Sequence, residues 1–189
     1  MGKARIEDKE FEAIDKEHPF LEADYEYCQF SNCDFSNRDL SAFNFLECTF
    51  ESCDFSNAKL FDTGFKTVQF KDCKLMGLRF EDCNTFLLAM SFENCMLNFS
   101  SFYQVAMQNT LFNNCTLEQV DFAETNLTNA IFKNCRLLKA NFEYTILKKA
   151  NLQTANHFNI DPDTNQIAGA KFSQSGALTL LNKYKIVIS

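Results

Sequence analysis

At 189 residues, 46% of them hydrophobic, and with a formal net charge of −7, the chain has the make-up of a single globular domain. No apolar run reaches the roughly 18–20 residues of a bilayer span, and the N-terminal MGKARIEDKEFEAIDKEH is charged where a secretory signal carries its apolar segment. A soluble, cytoplasmic protein is expected, with its nine cysteines as free thiols and no direct binding to nucleic acid, whose phosphates need Lys and Arg.

Residues 1–17 read as an N-terminal cap, in which Phe11 and Ile14 are placed to cover the first coil. From Phe20 every fifth residue to Phe80 is apolar, and the run resumes at Leu87 and continues to His157. Of these 28 positions, 25 are Phe or Leu, so chance apolar clustering does not account for the pattern. Five residues advance a helix by about 140° and leave a strand facing its opposite side, so neither regular element explains the period. A chain that turns a corner every five residues does. Four sides make a 20-residue coil, and coils stacked at about 4.8 Å bring every fifth side chain onto the axis.

Alternate residues of a short extended segment point the same way, so a second inward position lies two residues before each centre. It holds Cys, Ala, Ser or Thr at most places, with Phe43, Val68, Leu78, Met90, Val105 and Val120 as larger members and Arg38 as its one charge. The step from Phe80 to Leu87 is seven residues, which reads as a two-residue insertion near Asn84–Phe86. That choice keeps Cys33, Cys53, Cys73, Cys95, Cys115 and Cys135 in one column, and aligns Asn32 with Asn94, Asn114 and Asn134 as a turn ladder of amides. About seven coils over residues 18–157 result.

Residues 158–189 depart from the repeat. After Asn159-Ile160-Asp161-Pro162 the chain reads GAKFSQSGALTLLNKYKIVIS. Ser173 or Ser175 can cap a helix with Leu178, Leu181 and Tyr184 on one face, followed by a strand at Ile186-Val187-Ile188.

A tandem A(D/N)LXX-like pattern with a central Phe or Leu and a small residue two before it resembles the pentapeptide-repeat proteins, over about 140 residues. The resemblance implies an all-β fold, a right-handed quadrilateral parallel β-helix closed by a short C-terminal helix and strand. The tail is similar to that of the quinolone-resistance, Qnr-type members. There a Gly-X-X-Leu/Phe turn, a Leu-Leu helix and an Ile-Val-Ile strand form a two-fold dimer interface. Carried over, the turn is at Gly169, and the interface comprises Phe172, Leu178, Leu181, Tyr184, Ile186 and Ile188.

Catalytic chemistry has little to work with. His18 and His157 lie at opposite ends of the repeat, no Gly-rich phosphate loop occurs, and Glu81-Asp82 faces outward. Zinc sites favour CxxC-type pairs that converge, whereas these cysteines are spread one per coil, and packing explains them better. No enzyme activity, metal, cofactor or small-molecule substrate is expected. On a rod, sequence position is axial position, and residues 80–132 carry Glu81, Asp82, Glu93, Glu118, Asp121 and Glu124 with no Lys or Arg, while residues 133–189 are net basic. By resemblance, such an acidic rod is a DNA-like ligand of DNA gyrase or topoisomerase IV that protects the enzyme from quinolones. The alternative is a solenoid scaffold for another protein partner.

Overall fold

The structure, a computed structural model, describes residues 3–15 and 17–187. The chain winds into a parallel β-solenoid of about eight turns with one short helix at its C-terminal end. The first side carries β1 (Ala4–Glu7), β3 (Ala23–Glu26), β5 (Asn44–Leu46) and β7 (Gly64–Lys66) as a four-stranded sheet in the order β1-β3-β5-β7.

The second side carries nine strands: β2 (Glu10–Glu12), β4 (Gln29–Ser31), β6 (Thr49–Glu51), β8 (Val68–Lys71), β9 (Met90–Glu93), β10 (Leu111–Asn113), β11 (Ile131–Lys133), β12 (Asn151–Leu152) and β13 (Lys171–Phe172). Its order, β13 to β9 and then β8-β6-β4-β2, is simply the order of coils. The third and fourth sides are held by isolated parallel bridges, such as Asp34↔Asp54↔Lys74↔Met96 and Arg79↔Ser101↔Asp121↔Asn141.

Register shows the period directly. Phe30 pairs with Phe50 and Phe112 with Phe132, twenty residues apart, while Phe70 pairs with Phe92. At the N-terminal end Ile6 pairs with Tyr25 and Phe11 with Phe30, so residues 4–14 form a partial coil one residue short. The Phe11 ring stacks on Phe30 at 4.8 Å, and Ile14 and Phe20 also pack on the core.

Both inward positions are filled as the period requires. Phe45, Phe50, Phe55, Phe80, Phe102 and Phe112 are among the fully buried rings, and along one column Phe92, Phe112 and Phe132 stack face to face at 5.1 and 4.9 Å. Adjacent columns meet edge to face, as in Phe112 against Phe122, the two arrangements that aromatic quadrupoles favour.

The small inward position does more than fill space. Thr63, Thr125 and Thr145 donate their hydroxyls to the carbonyls of Leu40, Phe102 and Phe122, each 23 residues back, at 2.6–2.8 Å. Cys53, Cys73 and Cys135 stand in the same relation to Phe30, Phe50 and Phe112, with S···O of 3.3–3.5 Å. A weak S–H donor is enough to satisfy an inward carbonyl at a site too tight for a larger polar group.

Corners are made almost without glycine. On nearly every side one residue, two beyond the centre, has φ between +51° and +72°, and only Gly77 and Gly169 among these are glycines. Asn or Asp fills many of the rest, consistent with their tolerance of the left-handed region. The cost of that conformation is offset by ladder bonds from the same residues, for example Asn57 N–H to Met76 O at 2.9 Å.

Three expectations are corrected. Leu87 is 65% exposed with φ +57°, because the insertion is taken up over residues 85–89 and Leu88, not Leu87, turns onto the core. His157 is likewise exposed at φ +59°, and Phe158 and Ile160 are buried in its place as the repeat ends. Ile186 and Val187 form no strand, and Ile188 lies outside the described residues.

Candidate interaction surface

The six acidic residues singled out by axial position do not share one side. Glu81, Asp82, Asp121 and Glu124 lie on the fourth side or its trailing corner, Glu93 on the second side, and Glu118 on the third. Each has local partners. Arg79 Nε sits 3.3 Å from both Glu81 and Asp82, and Arg136 pairs with Glu118. Asn113 donates to Glu93 at 3.1 Å, and Asn141 to Asp121 at 3.0 Å. Glu124 accepts from the Tyr103 hydroxyl at 3.2 Å and from Gln104 at 2.8 Å.

Two neighbours of this acidic set escape a reading of the sequence by charge because they are apolar. Phe61 and Tyr103, 71% and 39% exposed, occupy the row next to the fourth-side centres. Phe61 also borders an open groove of ≈ 300 Å³ together with Ser41, Lys59, Gly77, Arg79 and Asp82. On the first side, the insertion displays Phe86 and Leu87, with the Lys66 ammonium 5.5 Å above the Phe86 ring.

At the C-terminal end the Ser173 hydroxyl accepts from Gly176 N–H at 3.0 Å and caps the helix α1 (Gln174–Thr179). Gly176 is required there, since a Cβ would come within 2.9 Å of the Phe158 ring. A 3₁₀ turn at Asn182–Tyr184 follows, and Lys183 reaches back to Asp161 at 2.5 Å and to Asp163. That ammonium holds the Asp161 carboxyl below the ordinary range. Of the residues carried over as an interface, Phe172 packs on the core and Leu181 is half-buried, while Leu178, Tyr184 and Ile186 are exposed.

The cysteines are all free and buried. Burial pushes the Cys48 thiol up to about 12 and raises Cys83 as well, while Cys73 and Cys115 are raised first by hydrogen bonding to neighbouring thiols and then by burial. Cys53, Cys95 and Cys135, their partners in the column, are lowered by the same thiol hydrogen bonds, so it is burial that keeps the column from acting as nucleophile or metal ligand. Among the described residues no group of three or more His, Cys, Asp and Glu could hold a metal ion. No described helix is long and apolar enough to cross a membrane.

The amide ladder is present from the fourth coil onward. Asn94 donates to Asp72 at 3.0 Å, Asn114 to Asn94 at 3.1 Å and Asn134 to Asn114 at 3.1 Å, and Ser52 separates Asn32 from it.

Among known proteins, a trypsin-treated form of QnrB1, a plasmid-mediated fluoroquinolone resistance protein, matches at TM-score 0.59 and 16% identity. It covers 99% of this chain and 98% of its own. Full-length QnrB1 matches at TM-score 0.51 and 18% identity, over 97% and 100%. HetL, a pentapeptide-repeat protein involved in heterocyst differentiation regulation from the cyanobacterium Nostoc sp. strain PCC 7120, matches at TM-score 0.43 and 16% identity, over 90% and 87%. No curated protein sequence matches the chain. The family model described as pentapeptide repeat region matches residues 23–90 and 86–161, most of the solenoid, and the chain belongs to the pentapeptide-repeat family.

Proposed function

We propose that the protein is a non-enzymatic ligand of type II topoisomerase, DNA gyrase or topoisomerase IV, that engages the enzyme as an acidic, DNA-like rod and protects it from quinolones. The observation that carries this reading is the likeness in fold to QnrB1 along the whole length of both chains. The net charge of −7 supports it, since a surface built to bind DNA is basic. The rod acts as a homodimer joined at its C-terminal ends, where Leu178, Tyr184 and Ile186 leave apolar surface exposed.

The test is a supercoiling assay with purified gyrase and ciprofloxacin across a range of protein concentration. Restored supercoiling is expected, and neither rescue nor inhibition at micromolar protein would remove the topoisomerase reading. Sedimentation tests the dimer, and a monomer would refute the tail-to-tail arrangement.

A second reading, a scaffold for another protein, is favoured by the basic C-terminal end. In a tail-to-tail dimer it would put positive charge at the centre of the supposed DNA mimic. Under that reading the dimer forms but gyrase is indifferent to it.

A further inference from the structure

The outward residues of the solenoid are not uniformly acidic. Between Phe20 and Asn156 the first and third sides balance at three acidic and three basic residues each, and the second holds three against two. At its outward positions the fourth side holds eight acidic residues against Lys59 and Arg79, with Arg38 at an inward position of the same side. Its leading row holds Asp39 and Lys59, joined by one bridge, and then Arg79, Ser101, Asp121 and Asn141, joined in turn by bridges along the axis. Asp62 and Asp82 are joined at the trailing corner, as are Glu124 and Glu143.

The same side also carries exposed apolar groups. Leu21, Phe61 and Tyr103 stand in its remaining row at 58%, 71% and 39% exposure, and Phe99, at 57%, lies on the corner shared with the third side. Carboxylates interleaved with aromatic side chains are unlike a surface kept merely soluble, which would disperse charge over all four sides and keep rings inward.

We infer that this one side is the docking surface of the rod, and that its occupant is a basic protein surface whose arginines or lysines alternate with apolar side chains. Charge complementarity selects the partner's sign, and Phe61 and Tyr103 supply the desolvated contacts that hold it once it has arrived. Arginine is well suited to both, because its guanidinium pairs with a carboxylate and stacks on an aromatic face. The partner as a topoisomerase rests on the function proposed above; the choice of side and the chemistry of the partner do not. Glu93 and Glu118, on other sides, fall outside the contact.

The test compares two triple variants with the same change in net charge. Asp82→Lys/Glu124→Lys/Glu143→Lys alters the fourth side, and Glu51→Lys/Asp72→Lys/Glu93→Lys alters the second. Circular dichroism and sedimentation establish that both remain folded and in the wild-type oligomeric state. One probe is a synthetic peptide alternating arginine and leucine, with oligolysine for comparison, and the other is purified gyrase. Wild type is expected to bind the alternating peptide more tightly than oligolysine. The fourth-side triple should lose about tenfold or more in affinity, and the second-side triple less than about threefold. A Phe61→Ala/Tyr103→Ala variant, which leaves charge untouched, should lose the preference for the alternating peptide.

Equal losses for the two triples, no preference over oligolysine, or no binding by wild type would each overturn the inference. Peptide binding in the expected pattern while gyrase is not bound would refute the topoisomerase reading and leave the docking side standing.

Discussion

Replacing Phe112 tests the stacked column at its middle. The ring is fully buried, lies parallel to Phe92 and Phe132 at 5.1 and 4.9 Å, and meets Phe102 and Phe122 edge-on at 6.2 and 6.0 Å. Phe112→Ala removes the ring's transfer free energy and leaves a cavity between coils that cannot approach one another, because their spacing is fixed by the backbone ladder. Such losses run to about 3–5 kcal/mol, and the four ring contacts, at about 0.5–1.5 kcal/mol each before overlap, favour the upper end. Phe112→Leu should cost about 1.5 kcal/mol or less, since Leu97 and Leu117 already fill inward positions in neighbouring columns. Phe112→Asp buries a charge and should unfold the rod. Urea denaturation followed by far-ultraviolet circular dichroism reads all three. A loss below about 2 kcal/mol for Phe112→Ala, or wild-type β signal and melting temperature for Phe112→Asp, would refute the stacked column as the source of stability.

Arg38 donates to the carbonyls of Asp15 at 2.6 Å and His18 at 3.1 Å and lies over the rings of Phe20 and Phe35, so Arg38→Ala should release the first coil. Hydrogen exchange should rise over residues 4–14 and stay unchanged over residues 110–135. Thr67, β-branched and exposed, is held at φ +58°, and Thr67→Asn should stabilise by about 0.5–1 kcal/mol, read as a higher melting temperature. All nine cysteines are buried, and burial pushes the Cys48 thiol up to about 12. A thiol-labelling reagent should therefore find no fast-reacting cysteine in the native protein and all nine after denaturation. Asp161 has a lowered pKa because of Lys183, so its contribution is present above the ordinary carboxylate range and is lost as pH falls through the lowered value. Exchange protection over residues 174–184 should then drop as pH goes from about 5 to about 3, and salt should lessen the effect.

Much of the fold was legible because the two inward rows obey a single spacing, and Cys33 or Phe112 can occupy its place only if the neighbours five and twenty residues away occupy theirs. Leu87 and His157 broke that logic. Both are at the correct spacing, but near an insertion or the end of a repeat the spacing counts residues without fixing which one turns inward. The corner conformation was also hidden, because the left-handed position is filled by Lys139, Tyr144 and Glu124 as well as by Asn, and ladder bonds rather than residue type impose it. Axial position alone groups carboxylates that the coil points in different directions. Counting by twenty, with two residues added after the insertion, separates Glu93 and Glu118 from Glu124, so the division by side was in the sequence once the coil length was known.

That division also decides which carboxylates can be changed to learn about binding. Asp121 accepts hydrogen bonds from Ala123 N–H and from the Asn141 amide at 3.0 Å, so its substitution would confound a lost contact with a loosened corner. Glu143 and Glu124 close their coils without their own carboxylates: Glu143 N–H donates to the Asn141 side-chain oxygen at 3.0 Å and Glu124 N–H to Glu143 O at 2.8 Å. Neither side chain is needed to close a coil. Stability in this architecture is carried by inward rows and by the main-chain ladder, each coil resting on its neighbours. Asp39 and Asp121 help to close corners through the N–H groups of Ser41 and Ala123, whereas the charge at Glu124 and Glu143 is free to be set by a partner.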